Sequence, residues 1–228
     1  MRIVSLVPSV TETLLAWGVE PVACTRFCEQ PQLRHVGGTK DPHVGAIVEL
    51  APDLVVVDRE ENRREDAEEL VARGVRVVDL HVTSLDDAAK ETARLAELVG
   101  SDWSPEVVQS RPIGVRAFVP IWRRPWMTFN SSTYGAWLLA SIGVGISHSL
   151  SATTYPEVAP DELRELDVDV VLLPTEPYAF AERHVAEVRD LVGVDDVRIV
   201  DGRDLFLWGV RTDGARDRLA LQLRDLVS

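Results

Sequence analysis

Short apolar runs alternate with longer amphipathic stretches along the chain, and the alternation occurs twice. Residues 2–7 form an apolar run that predicts a strand, and residues 52–58 contain a β-branched run typical of a parallel strand covered on both faces. Residues 84–99 carry their apolar side chains on one face and predict a long helix. Residues 115–120 and 168–174 predict strands of a second series. The pattern therefore predicts an α/β fold with parallel sheets.

Local signals add shorter elements to this plan. Ser9 and Glu12 form an S-x-x-E pattern, which predicts a capping box at a helix start. Gly143-Val-Gly145 is predicted to be a turn. The remaining predicted elements are strands at 21–25, 75–80 and 197–200 and helices at 45–50, 61–73, 133–142, 160–166, 181–191 and 213–227.

The two central strands are introduced by similar residues. Residues 49–57 read Glu-Leu-Ala-Pro-Asp-Leu-Val-Val-Val, and residues 165–172 read Glu-Leu-Asp-Val-Asp-Val-Val-Leu. This local repeat predicts two lobes of similar plan. We expect an N-terminal α/β lobe at 1–83 and a C-terminal α/β lobe at 113–228, joined by a helical connector at 84–112.

Charge and hydropathy narrow the class of protein. The formal net charge of −13 argues against nucleic acid and against an anionic membrane surface as partners, since both require clustered positive charge. No apolar run is long enough to predict a membrane helix. The N-terminal residues show no signal-peptide pattern, so we expect a cytoplasmic protein, or an extracytoplasmic one if a leader has been removed.

The sequence carries none of the common catalytic motifs. It contains no G-x-S-x-G and no phosphate-binding G-x-x-x-x-G-K loop. The five histidines include no H-x-x-x-H pair, so we expect no metal ligands and no cofactor. Cys24 and Cys28 form neither a zinc pattern nor a redox C-x-x-C, and are expected to be small buried thiols. We therefore predict a protein that is not an enzyme. An enzyme using Glu176, Glu12 and the loop histidines His43 and His148 as acid–base groups, and a direct metal-ion receptor, are less favoured alternatives.

Aromatic and arginine side chains follow the predicted strands at their carboxyl ends, where open α/β sheets bind ligands. Rings supply contact area, and guanidinium groups bind acidic or carbonyl oxygens. This composition is typical of a site for a large, partly flat small molecule. Among the tryptophans, Trp17 and Trp137 lie on apolar helix faces and are expected in the core, whereas Trp122 and Trp208 are expected at the ligand with Tyr178.

Several stretches in the same order resemble the cobalamin and iron-siderophore substrate-binding proteins of ABC importers, which are two-lobed helical-backbone metal receptors. The resemblance covers nearly the whole chain. It is carried by Ser5–Glu12, Val36-Gly-Gly, Glu49–Val57, Asn62, Glu65, Leu70, Gly74 and Val75 in the first half, and by Ile121–Thr128, Tyr155–Val158, Leu173–Phe180, His184 and Trp208-Gly-Val-Arg211 in the second.

The resemblance implies a ligand cleft between the two lobes and no chemistry on the ligand. It also implies docking on a membrane component of an ABC importer through surface carboxylates, for which Glu65 and Glu182 are the candidates. The ligand-binding residues that it implies are Ser9, Arg59, Trp122, Glu176, Tyr178, Trp208 and Arg211.

Two features depart from the family pattern: the absence of a leader and a connector shorter than the usual interlobe helix of about 20 residues, or ~30 Å. The leading hypothesis is a binding protein for a corrinoid or another metal chelate. The alternative is a cytosolic carrier or sensor that kept the fold without the importer.

Overall fold

Alternating strands and helices form two separate parallel sheets in the computed structural model of the protein, which describes residues 1–105 and 112–226. The described residues divide into two compact units, and each unit contains one four-stranded sheet. The predicted α/β class with two parallel-sheet lobes is therefore confirmed. No helix within the two described ranges is long and apolar enough to cross a membrane.

The first unit has the strand order β2-β1-β3-β4, with every neighbouring pair parallel. All five residues of its central strand β3 are buried, as the β-branched run predicts. Its strands are β1 Ile3–Ser5, β2 Ala23–Cys24, β3 Leu54–Asp58 and β4 Val77–Leu80. Its helices are α1 Pro8–Ala16, α2 Val44–Glu49, α3 Arg64–Ala72 and α4 Leu85–Val99. The first residue of α4, Leu85, is assigned to the second unit.

The second unit has the strand order β10-β9-β5-β8, again parallel throughout. An antiparallel hairpin of two short strands, β6 and β7, follows β5. The strands are β5 Val115–Phe118, β6 Trp122–Arg123, β7 Trp126–Met127, β8 Val144–Ile146, β9 Val170–Pro174 and β10 Val197–Val200, and the helices are α5 Tyr134–Ser141, α6 Pro160–Leu163, α7 Val185–Val192, α8 Gly202–Phe206 and α9 Thr212–Leu223.

Each sheet has one point where successive connections leave in opposite directions. In the first unit this point lies between β1 and β3, and in the second it lies between β5 and β9. Open α/β sheets bind ligands beside such a point, at the carboxyl ends of the strands. The segments that follow β1, β3, β5 and β9 are therefore where this rule predicts functional side chains.

Three local predictions are wrong. Helix α1 begins at Pro8 after Val7, whose side chain makes no capping hydrogen bond, so Ser9 lies inside the helix and is not the capping residue. Residues 143–145 are not a simple turn, because Val144–Ile146 is the edge strand β8 paired with β5. Trp137 is 51% exposed and does not belong to the core.

The division into units places most of helix α4 with the first sheet. The first unit comprises Met1–Val82, Asp86–Pro105 and Trp208–Val210, and the described residues of the second lie within Thr83–Leu85, Glu106–Leu207 and Arg211–Ser228. Within the connector expected at 84–112, Asp86–Pro105 belongs to the first unit and does not form a separate body. Residues 106–111 of the expected connector lie outside the described ranges. The predicted lobe boundaries stay a prediction.

Candidate functional site

The carboxyl ends of β1 and β3 are held together by the buried side chain of Asn62. Its amide nitrogen donates to the carbonyl oxygens of Leu6, at 3.1 Å, and Thr39, at 3.0 Å. Its amide oxygen accepts from the backbone N–H of Asp58 at 2.9 Å. The Asn62 side chain therefore connects the ends of β1 and β3 to the loop that contains Thr39. Because each of these groups is buried, losing Asn62 would leave polar backbone groups unpaired.

Asp58 ends strand β3 with a carboxyl group that is almost fully buried, at 1% exposure. Its Oδ1 accepts from the backbone N–H of Glu60 at 2.8 Å, whereas its Oδ2 has no hydrogen-bond partner among the described residues. Burial raises the pKa of Asp58 to about 7, and the negative charges of Glu61 and Glu60 act in the same direction. The first unit therefore holds a carboxyl group that changes charge near neutral pH.

Ser9 and Trp208, two of the predicted ligand-binding residues, are in direct contact within the first unit. The backbone N–H of Trp208 donates to Ser9 Oγ at 3.2 Å. One helical turn further along α1, Thr13 Oγ1 accepts from the backbone N–H of Val210 at 3.4 Å. Ser9 and Trp208 are 4% and 5% exposed. Ser9 and Thr13 of helix α1 therefore hold the Trp208–Val210 segment in place.

Arg211 belongs to the second unit and forms an ion pair with a buried carboxylate. Its guanidinium lies 2.5 Å from Asp204 Oδ1, and Arg218 Nε lies 2.6 Å from Asp204 Oδ2. Burial alone would raise the pKa of Asp204, but the hydrogen bonds from Arg218 and Arg211 outweigh it and lower the pKa. Asp204 therefore orients Arg211 and partly neutralises its charge.

Trp122 and Tyr178 lie in contact in the second unit, in the segments that follow the carboxyl ends of β5 and β9. Their rings make an edge-to-face contact at 5.6 Å, and the ring of Tyr178 in turn lies 4.7 Å from that of Phe180. Phe180 stacks on the buried Trp126 at 6.2 Å with an interplanar angle of 10°. Trp122 is 44% exposed. The four rings form a continuous series from core to surface, which we call the aromatic series.

Arg123, next to Trp122, is held by a carboxylate of helix α7. It pairs with Glu187 Oε1 at 2.6 Å. The Glu187 hydrogen bond, with a further contribution from Tyr178, raises the pKa of Arg123. This ion pair holds the β6–β7 hairpin against α7.

Glu176 follows strand β9 at a place where two backbone segments lie very close together. A Cβ atom on Gly202 would lie 2.4 Å from the backbone nitrogen of Glu176, so glycine is required there. Thr175 Oγ1 accepts from the backbone N–H of Gly202 at 2.9 Å. The start of helix α8 thus fixes the half-buried Glu176 at the carboxyl end of β9.

The remaining predicted residues lie on the surface. Arg59 is exposed and forms an ion pair with Asp79 at the neighbouring strand β4, at 2.8 Å. Glu65 and Glu182, the predicted docking residues, are exposed. An exposed ion pair of this kind contributes little stability, so Arg59 can exchange Asp79 for another anion at small cost.

A cavity of about 630 Å³ opens in the second unit on the hairpin side. Among the side chains that line it, Arg123 and Arg124 are opposed by three glutamates, and the ligand-binding candidates Trp122, Glu176 and Tyr178 are not part of its lining. This balance of charge gives an anionic ligand no electrostatic preference for the cavity over water. The described part of the chain brings together no group of three or more His, Cys, Asp or Glu side chains able to hold a metal ion.

The structure pairs Trp122 with Tyr178 and Ser9 with Trp208, and gives Arg59, Glu176 and Arg211 separate surroundings. Sequence reasoning missed the parts played by Phe180 and Asp204. A partial signal for Asp204 was present, since Arg211 and Arg218 are seven residues apart in the sequence, or about two helical turns.

Comparison with known proteins gives consistent matches. The periplasmic binding protein family matches residues 3–102. The vitamin B12-binding protein of Pectobacterium carotovorum subsp. carotovorum (strain PC1) is 23% identical over 198 residues, covering 77% of this chain and 72% of that protein. Matches to vitamin B12-binding proteins of Salmonella strains span 39% of those proteins. These findings confirm the resemblance that the sequence motifs indicate.

Solved structures agree with the fold over the whole length. The periplasmic vitamin B12-binding protein BtuF of Vibrio cholerae has a TM-score of 0.79 and 20% identity, covering 99% of this chain and 97% of that chain. The periplasmic heme-binding protein BhuT, in complex with two hemes, has a TM-score of 0.83 and 18% identity, covering 100% and 99%. At these identities the likeness shows the shared fold.

Proposed function

We propose that this chain, a relative of the cobalamin and iron-siderophore substrate-binding proteins of ABC importers, binds a bulky metal chelate without chemically changing it, and that a corrinoid is the preferred ligand. The single observation that carries the proposal is the aromatic series of the second unit. It ends in Trp122, which is 44% exposed. A ring held in place from below and open to solvent is suited to contact the flat face of a macrocycle.

The energetic reason is preorganisation. A free surface tryptophan loses side-chain entropy when it contacts a ligand, and that loss reduces affinity. Trp122 is already positioned by Tyr178 at 5.6 Å, and Tyr178 is positioned by Phe180 at 4.7 Å. Ligand binding at this ring would therefore gain apolar contact at a small entropic cost.

The proposal that the ligand is not chemically changed is supported by the surroundings of His184. His184, next to the aromatic series, is buried, and its Nδ1 accepts from the backbone N–H of Ala181 at 3.0 Å. Burial, together with the charges of Arg183 and Arg123, lowers the pKa of His184. A neutral histidine committed to a backbone hydrogen bond is a structural group, so we assign it no catalytic role.

The proposed partner is the membrane component of an ABC importer, and the proposed place of action is outside the cytoplasm. Glu65 and Glu182 are exposed carboxylates, one on each unit, and are available to pair with arginines of such a component. Charge reversal at both positions, Glu65→Arg with Glu182→Arg, is expected to abolish ligand-dependent stimulation of the importer ATPase while leaving ligand binding unchanged. Loss of ligand binding in the same variant would contradict the docking role.

Ligand choice is tested by calorimetric titration with cyanocobalamin, haemin and a ferric siderophore. Calorimetry is preferable to tryptophan quenching because the first two ligands absorb light strongly. We expect the corrinoid to bind most tightly and Trp122→Ala to weaken it at least tenfold, or about 1.4 kcal/mol. Trp137→Ala is the matched control, because that ring is also on the second unit and is similarly exposed, at 51%.

Two outcomes would count against the proposal in different ways. Equal loss of affinity in both tryptophan variants would show that the aromatic series is not the contact surface. No binding of any of the three ligands below millimolar concentration would reject the chelate class altogether.

A further inference from the structure

The buried thiols of Cys24 and Cys28 lie together in the first unit. Cys24 is the last residue of β2, and Cys28 closes the 3₁₀ turn Arg26–Cys28 that follows it. The two side chains are 0% and 3% exposed and pack with Leu33 in one small buried cluster. The chain contains no other cysteine, so these two thiols make a self-contained pair.

The surroundings of Cys28 are polar on the side of its sulfur. Thr11 Oγ1 lies 3.2 Å from Cys28 Sγ, and Thr25 Oγ1 lies 3.3 Å from it. Hydroxyl groups at these distances can donate to a thiolate. The hydrogen bond from Cys24 is the largest influence and lowers the pKa of Cys28, with Thr11 and Thr25 adding to it against the opposing effect of burial. The two cysteines therefore have different chemistry, because the pKa of Cys24 is raised.

We propose that Cys24 and Cys28 form a reversible dithiol–disulfide pair, whose oxidation links the end of β2 to the 3₁₀ turn. This inference rests on the first unit alone and does not depend on the ligand proposed above. Cys28 is the attacking residue, because the thiolate is the nucleophile in thiol–disulfide exchange. Cys24 is the resolving residue, because its side chain lies in the same small buried cluster as the Cys28 sulfur that it must attack.

The oxidant is a small-molecule disulfide, and the exchange takes two steps. The Cys28 thiolate attacks one sulfur, the S–S bond of the small molecule breaks, and one small thiolate leaves. Cys24 then loses its proton to water and attacks Cys28 Sγ, which breaks the mixed disulfide and releases the second small thiolate. The protein has lost two protons and two electrons, and the small disulfide has been reduced to two thiols.

Access to Cys28 requires only local opening. The flanking residues Arg26, Phe27 and Glu29 are exposed. The turn is closed by the hydrogen bond from the N–H of Cys28 to the carbonyl oxygen of Thr25, at 3.1 Å. The N–H of Arg26 bonds to the carbonyl oxygen of Gly37 at 2.9 Å. Arg26 also pairs with Asp41, but this ion pair is exposed and contributes little, so the turn can open locally without unfolding of the sheet.

The test is incubation of the folded protein with oxidised glutathione, followed by alkylation and mass spectrometry. The unsubstituted protein is expected to lose both thiols, with a mass lower by two hydrogen atoms and no bound glutathione. Cys24→Ser is expected to stop at one bound glutathione. Cys28→Ser is expected to react at least about tenfold more slowly than Cys24→Ser, because the two threonine hydroxyls that can stabilise a thiolate contact Cys28 Sγ and because Cys24 is fully buried.

Other results would overturn the inference. A stable glutathione adduct on the unsubstituted protein would show that Cys24 cannot reach Cys28 Sγ. Retention of both thiols by the folded protein, over a time in which the urea-unfolded protein is fully modified, would show that the pair is inert. Because both of these readouts use the unsubstituted protein, they remain decisive even if a serine variant fails to fold.

Discussion

The backbone N–H of Trp208 donates a hydrogen bond to Ser9 Oγ at 3.2 Å across a sequence separation of 199 residues. Ser9 lies in the first turn of α1, after Pro8, and is not at the capping position. Its hydroxyl accepts from a distant segment. The same helix supplies Thr13 Oγ1 to the N–H of Val210 at 3.4 Å, so two successive turns of α1 hold the Trp208–Val210 segment.

Replacing Ser9 with alanine should destabilise the protein through this one hydrogen bond. The N–H of Trp208 is buried and would lose its acceptor, at a cost of about 1 kcal/mol. For a chain of this size we expect the Tm to fall by about 2–4 °C in scanning calorimetry. Ser141→Ala is the control, since that hydroxyl donates to the Leu138 carbonyl oxygen within its own helix. An equal fall in Tm for both variants would contradict a specific role for Ser9.

Gly209 should tolerate no side chain. Its φ is +103°, and an added Cβ would lie 2.2 Å from Thr13 Oγ1. Gly209→Ala is therefore expected to combine backbone strain with a steric clash and to cost about 3 kcal/mol. Gly18→Ala separates the two effects, because Gly18 has a φ of +73° with nothing within 4 Å of an added Cβ. Its expected cost is the backbone term alone, about 1 kcal/mol.

Urea unfolding of both glycine variants measures this difference. Adding Thr13→Ala to Gly209→Ala should recover part of the loss, because it removes the clashing hydroxyl. No recovery in the double variant would show that the strain at Gly209 has another source.

The sequence was sufficient for elements with a long, regular hydrophobic pattern. The β-branched run at 52–58 became β3 at Leu54–Asp58, and the amphipathic stretch at 84–99 became α4 at Leu85–Val99. Both patterns extend over enough residues for their period to be read. The hairpin of β6 and β7 was missed because strands of two residues have no measurable period.

The contacts at the candidate site were harder to predict than the strands beside it. The position of Trp122 after a strand was readable, but its support by Tyr178 and Phe180 depends on a second strand end more than 50 residues away. The capping pattern at Ser9 and Glu12 was misleading, because α1 begins one residue earlier, at Pro8, and the Ser9 hydroxyl accepts from the backbone N–H of Trp208. Such contacts are set by how separate segments pack, which local patterns do not report.

Asp58 should make the stability of the protein depend on pH. Its pKa is about 7 when folded, against an ordinary value of 3.8, so the folded state binds a proton more tightly than the unfolded state. The stability contributed by this proton is full below about pH 4 and is lost progressively as the pH rises towards 7. The pKa of Glu61 is also raised, mainly by burial, so it adds to the same trend.

Asp58→Asn removes the charge but keeps an oxygen able to accept from the N–H of Glu60. We expect this variant to differ little from the unsubstituted protein below about pH 4 and to melt several degrees higher at pH 8, since one pK unit corresponds to about 1.4 kcal/mol. The measurement is Tm against pH for both proteins. Asp79→Asn, an exposed carboxylate of the same sheet, is the control and should show no such divergence. Parallel curves for Asp58→Asn would contradict the assignment.

Asp204 should be the most sensitive carboxylate in the second unit, because it is 3% exposed and paired with both Arg211 and Arg218. Asp204→Asn leaves two guanidinium groups facing a neutral amide, and breaking a buried ion pair in this way costs about 3 kcal/mol. The expected fall in Tm is about 6–12 °C at neutral pH. Glu68→Gln, which removes an exposed i,i+4 partner of Arg64, should change the Tm by about 1 °C or less.

Since the folded-state pKa of Asp204 is lowered, its contribution to stability is present at neutral pH and is lost as the pH falls through that pKa. The difference in Tm between Asp204→Asn and the unsubstituted protein should therefore narrow in acid, and a difference that stays constant would mean that lost packing, rather than lost charge, is responsible.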